Sequence, residues 1–228
     1  MSLESGRKLG LAASLIEVIM PVIIVIVMVL FIASIIAAIP AASAGSNVTI
    51  PNLSLVFIGV LISVGILTFV GIILFIVAMH RLSQYYNEPG IYKNALYGLI
   101  LNIIGTIVAI AIEFLLILGS IGIIPQAGTV LPGTALTQLI LAGFAVFAIS
   151  FVFGTISAVF YMRAFNMLAE KSGKNDFKTA GLLYLLGQVL TIVLIGGLLF
   201  WIAWIFAAMG FNSLRPKETQ PSRLPTPP

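Results

Sequence analysis

Leu53 to Met79 and Leu136 to Met162 each run twenty-seven residues without a charge. As a helix, each run would be roughly 40 Å long, enough to cross a hydrocarbon core of about 30 Å. No water-soluble fold accommodates several such runs. The chain has 228 residues, of which 61% are hydrophobic and 8% charged, against about 25% charged in a soluble domain. Too little polar surface is available to face water, so the sequence implies an integral membrane protein with the lipid bilayer as its first partner.

All eleven basic residues fall in four clusters between the apolar runs. Arg7 and Lys8 come first, then Arg81 and Lys93, then Arg163, Lys171, Lys174 and Lys178. Arg215, Lys217 and Arg223 lie in the tail. The intervening segments from Ile39 to Leu53 and from Gly119 to Leu136 carry no charge. Cations that flank apolar runs mark the cytoplasmic side and do not form a nucleic-acid-binding face. With no cysteine and one histidine, disulfides, thiolate sites and multi-histidine metal sites are excluded. No cofactor is implied.

Four spans follow directly: Leu9 to Ile39, Leu53 to Met79, Ala95 to Gly119, and Leu136 to Met162. Pro21 predicts a kink or tilt in the first. The last run, Thr179 to Leu214, is 36 residues, roughly 54 Å as one helix. Gly196 and Gly197 near its middle would permit a turn, because glycine accepts positive φ. A hairpin there returns the tail to the basic side and makes six spans. The expectation is therefore an all-α polytopic bundle over residues 1–214 in the cell membrane, both termini cytoplasmic, with five spans as the alternative. Residues 215–228, polar and proline-rich, read as a disordered tail. Arg7, Lys8 and Ala42-Ser43-Ala44 resemble a signal peptide, but the apolar run is too long, and an uncleaved first span is expected. Asn47-Val48-Thr49 is a glycosylation triplet in an outer loop, and chance accounts for it.

Tyr92-Lys93-Asn94-Ala95 with Thr106-Ile107-Val108 is echoed by Phe177-Lys178-Thr179-Ala180 with Thr191-Ile192-Val193. The echo suggests a parallel internal repeat of spans two and three in spans four and five.

Intramembrane polar residues are the candidate site. Glu17 lies in the first span, where a carboxylate is costly unless paired, protonated or beside water. Its alternatives are a proton or cation site, or an interfacial residue on a helix that enters the core only near Pro21. Glu113, near the outer end of span three, reads as interfacial and should not share a site with Glu17. Asn94, Gly98, Asn102 and Thr106 form a stripe on span three. Gly143, Ser150, Gly154, Ser157 and Tyr161 form one on span four, and Tyr184, Gln188 and Thr191 one on span five. Helix packing is the default use of such stripes, and a narrow polar cavity between spans three and five is the alternative. Asn175 or Asp176 is expected to cap span five. His80 has no nucleophile or second base near it in sequence. No phosphate loop, metal cluster or nucleophile motif occurs, so no enzyme is expected.

Tyr85-Tyr86-Asn87-Glu88-Pro89-Gly90-Ile91-Tyr92-Lys93-Asn94-Ala95-Leu96-Tyr97-Gly98 resembles the prokaryotic, often archaeal, membrane family called domain of unknown function 996. So do Phe165-Asn166, Ala169-Glu170-Lys171-Ser172-Gly173, Phe177 to Tyr184, and Ile202-Ala203-Trp204-Ile205. The likeness runs from about Leu53 to Leu214 and implies a multi-spanning protein without naming an activity. Two functions follow from the residues. The absence of chemistry favours a non-catalytic scaffold or accessory subunit, partnered by other membrane subunits or itself. The alternative is a small transporter or channel using Glu17 and the polar positions of spans three and five.

Overall fold

A computed structural model describes residues 2–43, 51–120, 133–193 and 195–216. The helices are α1 (Leu3–Ser43), α2 (Pro51–Tyr85), α3 (Pro89–Ser120), α4 (Gly133–Ser172), α5 (Asn175–Val189) and α6 (Gly196–Ser213). A 3-10 segment, Leu190–Val193, extends α5. Among the described residues, six helices are long and apolar enough to cross a membrane. The Asn47 triplet and the tail beyond Pro216 lie outside the described residues.

Each helix packs against the next in sequence, and α6 packs back on α1, closing a ring. Arg7 Nη1 donates to the Leu214 carbonyl at 3.3 Å, so the start of α1 and the end of α6 share one end of the bundle. Lys171 pairs with Glu88 at 3.0 Å at the same end, tying α4 to the α2–α3 turn. The basic residues of all four clusters that fall among the described residues gather there.

The helices start and stop for local reasons. Pro89 opens α3, where its missing N–H costs nothing. Asn87, at φ 50°, makes the turn before it, and the Ser83 hydroxyl donates to the Glu88 carbonyl at 2.9 Å. Gly173, at φ 69°, ends α4, and its N–H donates to the Ala169 carbonyl at 2.8 Å. The cap of α5 is Lys174 in extended conformation, with no side-chain cap bond, and not Asn175 or Asp176. Asp176 instead sits in the first turn, where a carboxylate complements the helix dipole. α1 stays helical on both sides of Pro21.

The hairpin between α5 and α6 forms, but not for the reason the glycine doublet suggested. The chain reverses before Gly196, and the only positive-φ glycine among the described residues is Gly173. Gly196 serves close approach: a Cβ there would run into the Gly187 carbonyl and the Thr191 backbone. Removing two side chains lets α5 and α6 meet backbone to backbone.

The packed core lies toward the basic end. Phe75, Phe165, Phe177, Phe211, Met79, Leu82, Ile91, Leu168 and Leu214 are fully buried there. Phe177 meets Phe211 edge-on at 4.9 Å and stacks on Phe165 at 6.3 Å. The outward faces of the helices expose Val, Ile, Leu and Phe, as lipid contact requires.

Lys171 donating to Glu88 holds that carboxyl below its ordinary range. A depressed folded value stabilises above the unfolded value of about 4.3, and the contribution fades as pH falls through the folded value. The pair is partly exposed, so the effect on stability is small. Lys171→Met should return the Glu88 carboxyl toward its ordinary value, measured by NMR titration of the side-chain carbon. An unchanged titration would show that the pair does not persist.

Candidate functional site

Among the described residues, two cavities adjoin one another. The smaller, about 80 Å³, is lined by Glu17, Ile72, Phe75, Leu99, Asn102, Tyr161, Tyr184 and Trp204. Each of the six helices contributes to it, so it sits on the bundle axis. The larger, an open cleft of about 260 Å³, is walled by α3, α4 and α5. Asn102, Thr106, Ser150, Gln188 and Thr191 supply its polar groups, and Phe147, Phe151 and Phe153 its apolar wall. Asn102 lines both.

Depth follows from helix rise. Glu17 lies roughly 21 Å along α1, and Asn102 and Gln188 each roughly 20 Å from the basic end of α3 and α5. The three are level. Thr106 lies roughly 26 Å from that end and Ser150 roughly 33 Å, so the open cleft extends away from the basic side. Below the axial chamber the core is packed solid. The bundle is therefore a vestibule closed on the basic side: Phe75, Tyr161, Tyr184 and Trp204, roughly 14–17 Å from that end, form the inner end of the chamber, and Glu17 sits above them at the level of Asn102.

Glu17 lies ten residues past Arg7, roughly 15 Å deeper along α1, and faces the bundle interior. Its Oε1 is buried and has no hydrogen-bond partner. The space it occupies exists because residue 71 is glycine: a Cβ there would stand 3.0 Å from Oε1. Pro21, four residues on, has no N–H to give the Glu17 carbonyl, so the helix loses a bond at this turn. At the next residue, Trp201 Nε1 donates to the Val18 carbonyl at 2.8 Å and fixes α6 against α1. Around the carboxyl, Phe75 and Trp204 meet edge-on at 5.4 Å, Tyr161 and Tyr184 at 5.3 Å, and Tyr184 and Trp204 at 6.1 Å. These rings make a stiff apolar frame with two phenol groups.

Gln188 is accommodated in the same way. A Cβ on Gly154 would meet its side-chain amide within 2.5–3.0 Å. The small-residue stripes thus divide by depth. Nearer the basic end they pack: Ser157 Oγ on α4 donates to the Gly98 carbonyl on α3 at 2.8 Å, and Asn94 Nδ2 on α3 lies 3.5 Å from Met167 Sδ on α4. Further out, Asn102, Thr106, Ser150, Gly154, Gln188 and Thr191 surround open space. Glu113 is exposed, roughly 36 Å along α3, and lines neither cavity. His80, exposed, lies 3.0 Å from Gln84 Nε2 and stacks edge-on with Tyr92, away from both cavities.

Sequence reasoning missed Phe75, Trp204 and the pairing of Glu17 with Gly71 and Pro21. The Glu-to-Pro spacing of four was visible. The partners on α2 and α6 were not, because nothing local specifies which apolar helices meet on the axis.

The chain is 28% identical, over 142 residues, to an uncharacterized protein of Methanocaldococcus jannaschii, covering 61% of this chain and 74% of the relative. No solved structure matches it. The family model described as "Protein of unknown function (DUF996)" matches residues 67–205, which include every cavity-lining residue except Glu17. With that match over more than half its length, the chain belongs to this family of multi-spanning membrane proteins.

Proposed function

We propose that this protein is a small transporter of the cell membrane, with both termini cytoplasmic and its solute path entering through the α3–α4–α5 cleft. The observation that carries the reading is the shared wall at Asn102, which joins the open cleft to the axial chamber. A scaffold has no need of a polar cleft that runs into a chamber holding an unpartnered carboxyl. The basic residues at the closed end support a cytoplasmic placement of that end, and with it a cleft that faces outward. Neutral amides and hydroxyls against aromatic walls suit a small uncharged polar solute, held by hydrogen bonds to Asn102, Ser150 and Gln188.

The chain has no cysteine, so single substitutions report cleanly. Thr106→Cys and Gln188→Cys should react with a membrane-impermeant thiol reagent added outside, while Ala164→Cys, fully buried near the closed end, should not. Proteoliposomes should then swell faster than protein-free vesicles in at least one of urea, glycerol and erythritol. Gly154→Leu, which drives Gln188 into the cleft, should abolish the difference. Unreactive thiols at both cleft positions would remove the vestibule. Swelling no faster than protein-free vesicles in all three solutes would remove transport.

A further inference from the structure

We infer that Glu17 is a proton-binding site that loads and empties through the open cleft. The inference deepens the transport reading, and rests on it only for the consequence that the bound proton takes part in the transport cycle.

The chamber holds a carboxyl and nothing to neutralise it. On α2 the carboxyl faces Gly71, Ile72 and Phe75; on α3, Leu99 and Asn102; on α6, Trp204. None of these titrates. Among the described residues, Tyr161 on α4 and Tyr184 on α5 are the only other titratable groups lining the chamber, and both are phenols. No Lys, Arg or His lines it. Oε1, buried and without a hydrogen-bond partner, is pressed against Gly71. A bare carboxylate in such a place is costly and takes a proton or a cation.

The geometry selects the proton. A hard metal cation surrounds itself with about six or more oxygens. This chamber offers the carboxyl, one amide and two phenols among aromatic carbon. Of these groups only the carboxyl carries a full charge, and a single carboxylate among aromatic carbon is matched by one proton better than by a divalent ion; the volume of about 80 Å³ leaves room for water to relay that proton. The route is present as well. Asn102 faces the chamber on one side and the open cleft on the other, so water reaching the cleft stands one side chain from the carboxyl. Were Glu17 sealed from water, its proton would be fixed; on this path it exchanges.

The test is labelling with dicyclohexylcarbodiimide, an apolar reagent that reacts only with protonated carboxyls. The carboxyl proton passes to a carbodiimide nitrogen, and the oxygen adds to the central carbon. Rearrangement gives a stable N-acylurea, so the reagent's whole mass stays on the chain. The purified full-length protein in detergent should carry the label on Glu17 at about pH 5 and lose it by about pH 9, located by peptide mass spectrometry. Glu17→Gln, isosteric and checked for an unchanged gel-filtration profile, should carry none, and Glu113→Gln should label at Glu17 as the wild type does. No label at about pH 5, equal label at both pH values, or protection by sodium or lithium at fixed pH would each overturn the inference. Labelling requires no transport, so an absent solute flux would defeat the preceding reading and leave this result intact.

Discussion

Gly196→Ala destabilises the protein by about 3 kcal/mol or more, the upper end of what overpacking costs. The added methyl meets the Gly187 carbonyl and the backbone of Thr191, and backbone cannot rotate aside as a side-chain tip does. α5 and α6 must separate. α6 is the helix that closes the ring onto α1 through the Trp201–Val18 and Arg7–Leu214 hydrogen bonds, so its displacement reaches the first helix too. Gly197→Ala is the control. Nothing lies within 4 Å of a Cβ there, and alanine favours helix, so stability should change by less than about 1 kcal/mol. Thermal unfolding in detergent, followed by circular dichroism, separates the pair. Equal midpoints would mean that the α5–α6 backbone contact is not made.

That contrast shows where the sequence was legible. Charge placement gave the six spans and put their basic ends together, because a cation is expensive to move across a bilayer whatever the helix packs against. Apolar pattern gave much less. In water a helix announces its buried face by its hydrophobic side, but in lipid both faces are apolar. Phe75 is buried and Phe69 exposed on the same helix, and nothing in their identity distinguishes them. For the same reason the ring closure of α6 on α1 was silent. The polar stripes were readable as stripes, since Asn102, Thr106 and Gln188 stand out in such a chain. Their split into packed and open halves was not, because it depends on how far α3 and α5 diverge over α4. Glu17 was visible as an anomaly, while its depth depended on where the membrane begins along α1. The glycine doublet marked the right place for the wrong reason: Gly196 supplies contact and not a left-handed turn.

Phe177→Ala should cost about 3–5 kcal/mol, the usual penalty for emptying an aromatic side chain from a packed site. The ring is fully buried, stacked on Phe165, edge-on to Phe211, and covered by Gly210, where a Cβ would stand 2.8 Å from it. Neighbours cannot collapse into the gap, because Phe165 is also held by Phe75 at 5.6 Å and by Trp204 at 6.4 Å. The cavity therefore stays open, and it opens in the layer that separates the axial chamber from the basic end. The substitution tests two properties together. Stability should fall by the stated amount in detergent unfolding. In vesicles the same variant should leak protons faster than the wild type, read by a trapped pH-sensitive dye, because Phe177 belongs to the packed layer that separates the axial chamber from the basic end. Phe177→Leu refills much of the volume and should recover most of the stability and the seal. A variant that loses stability without leaking would place the barrier elsewhere and detach the closed end from the proton site above it.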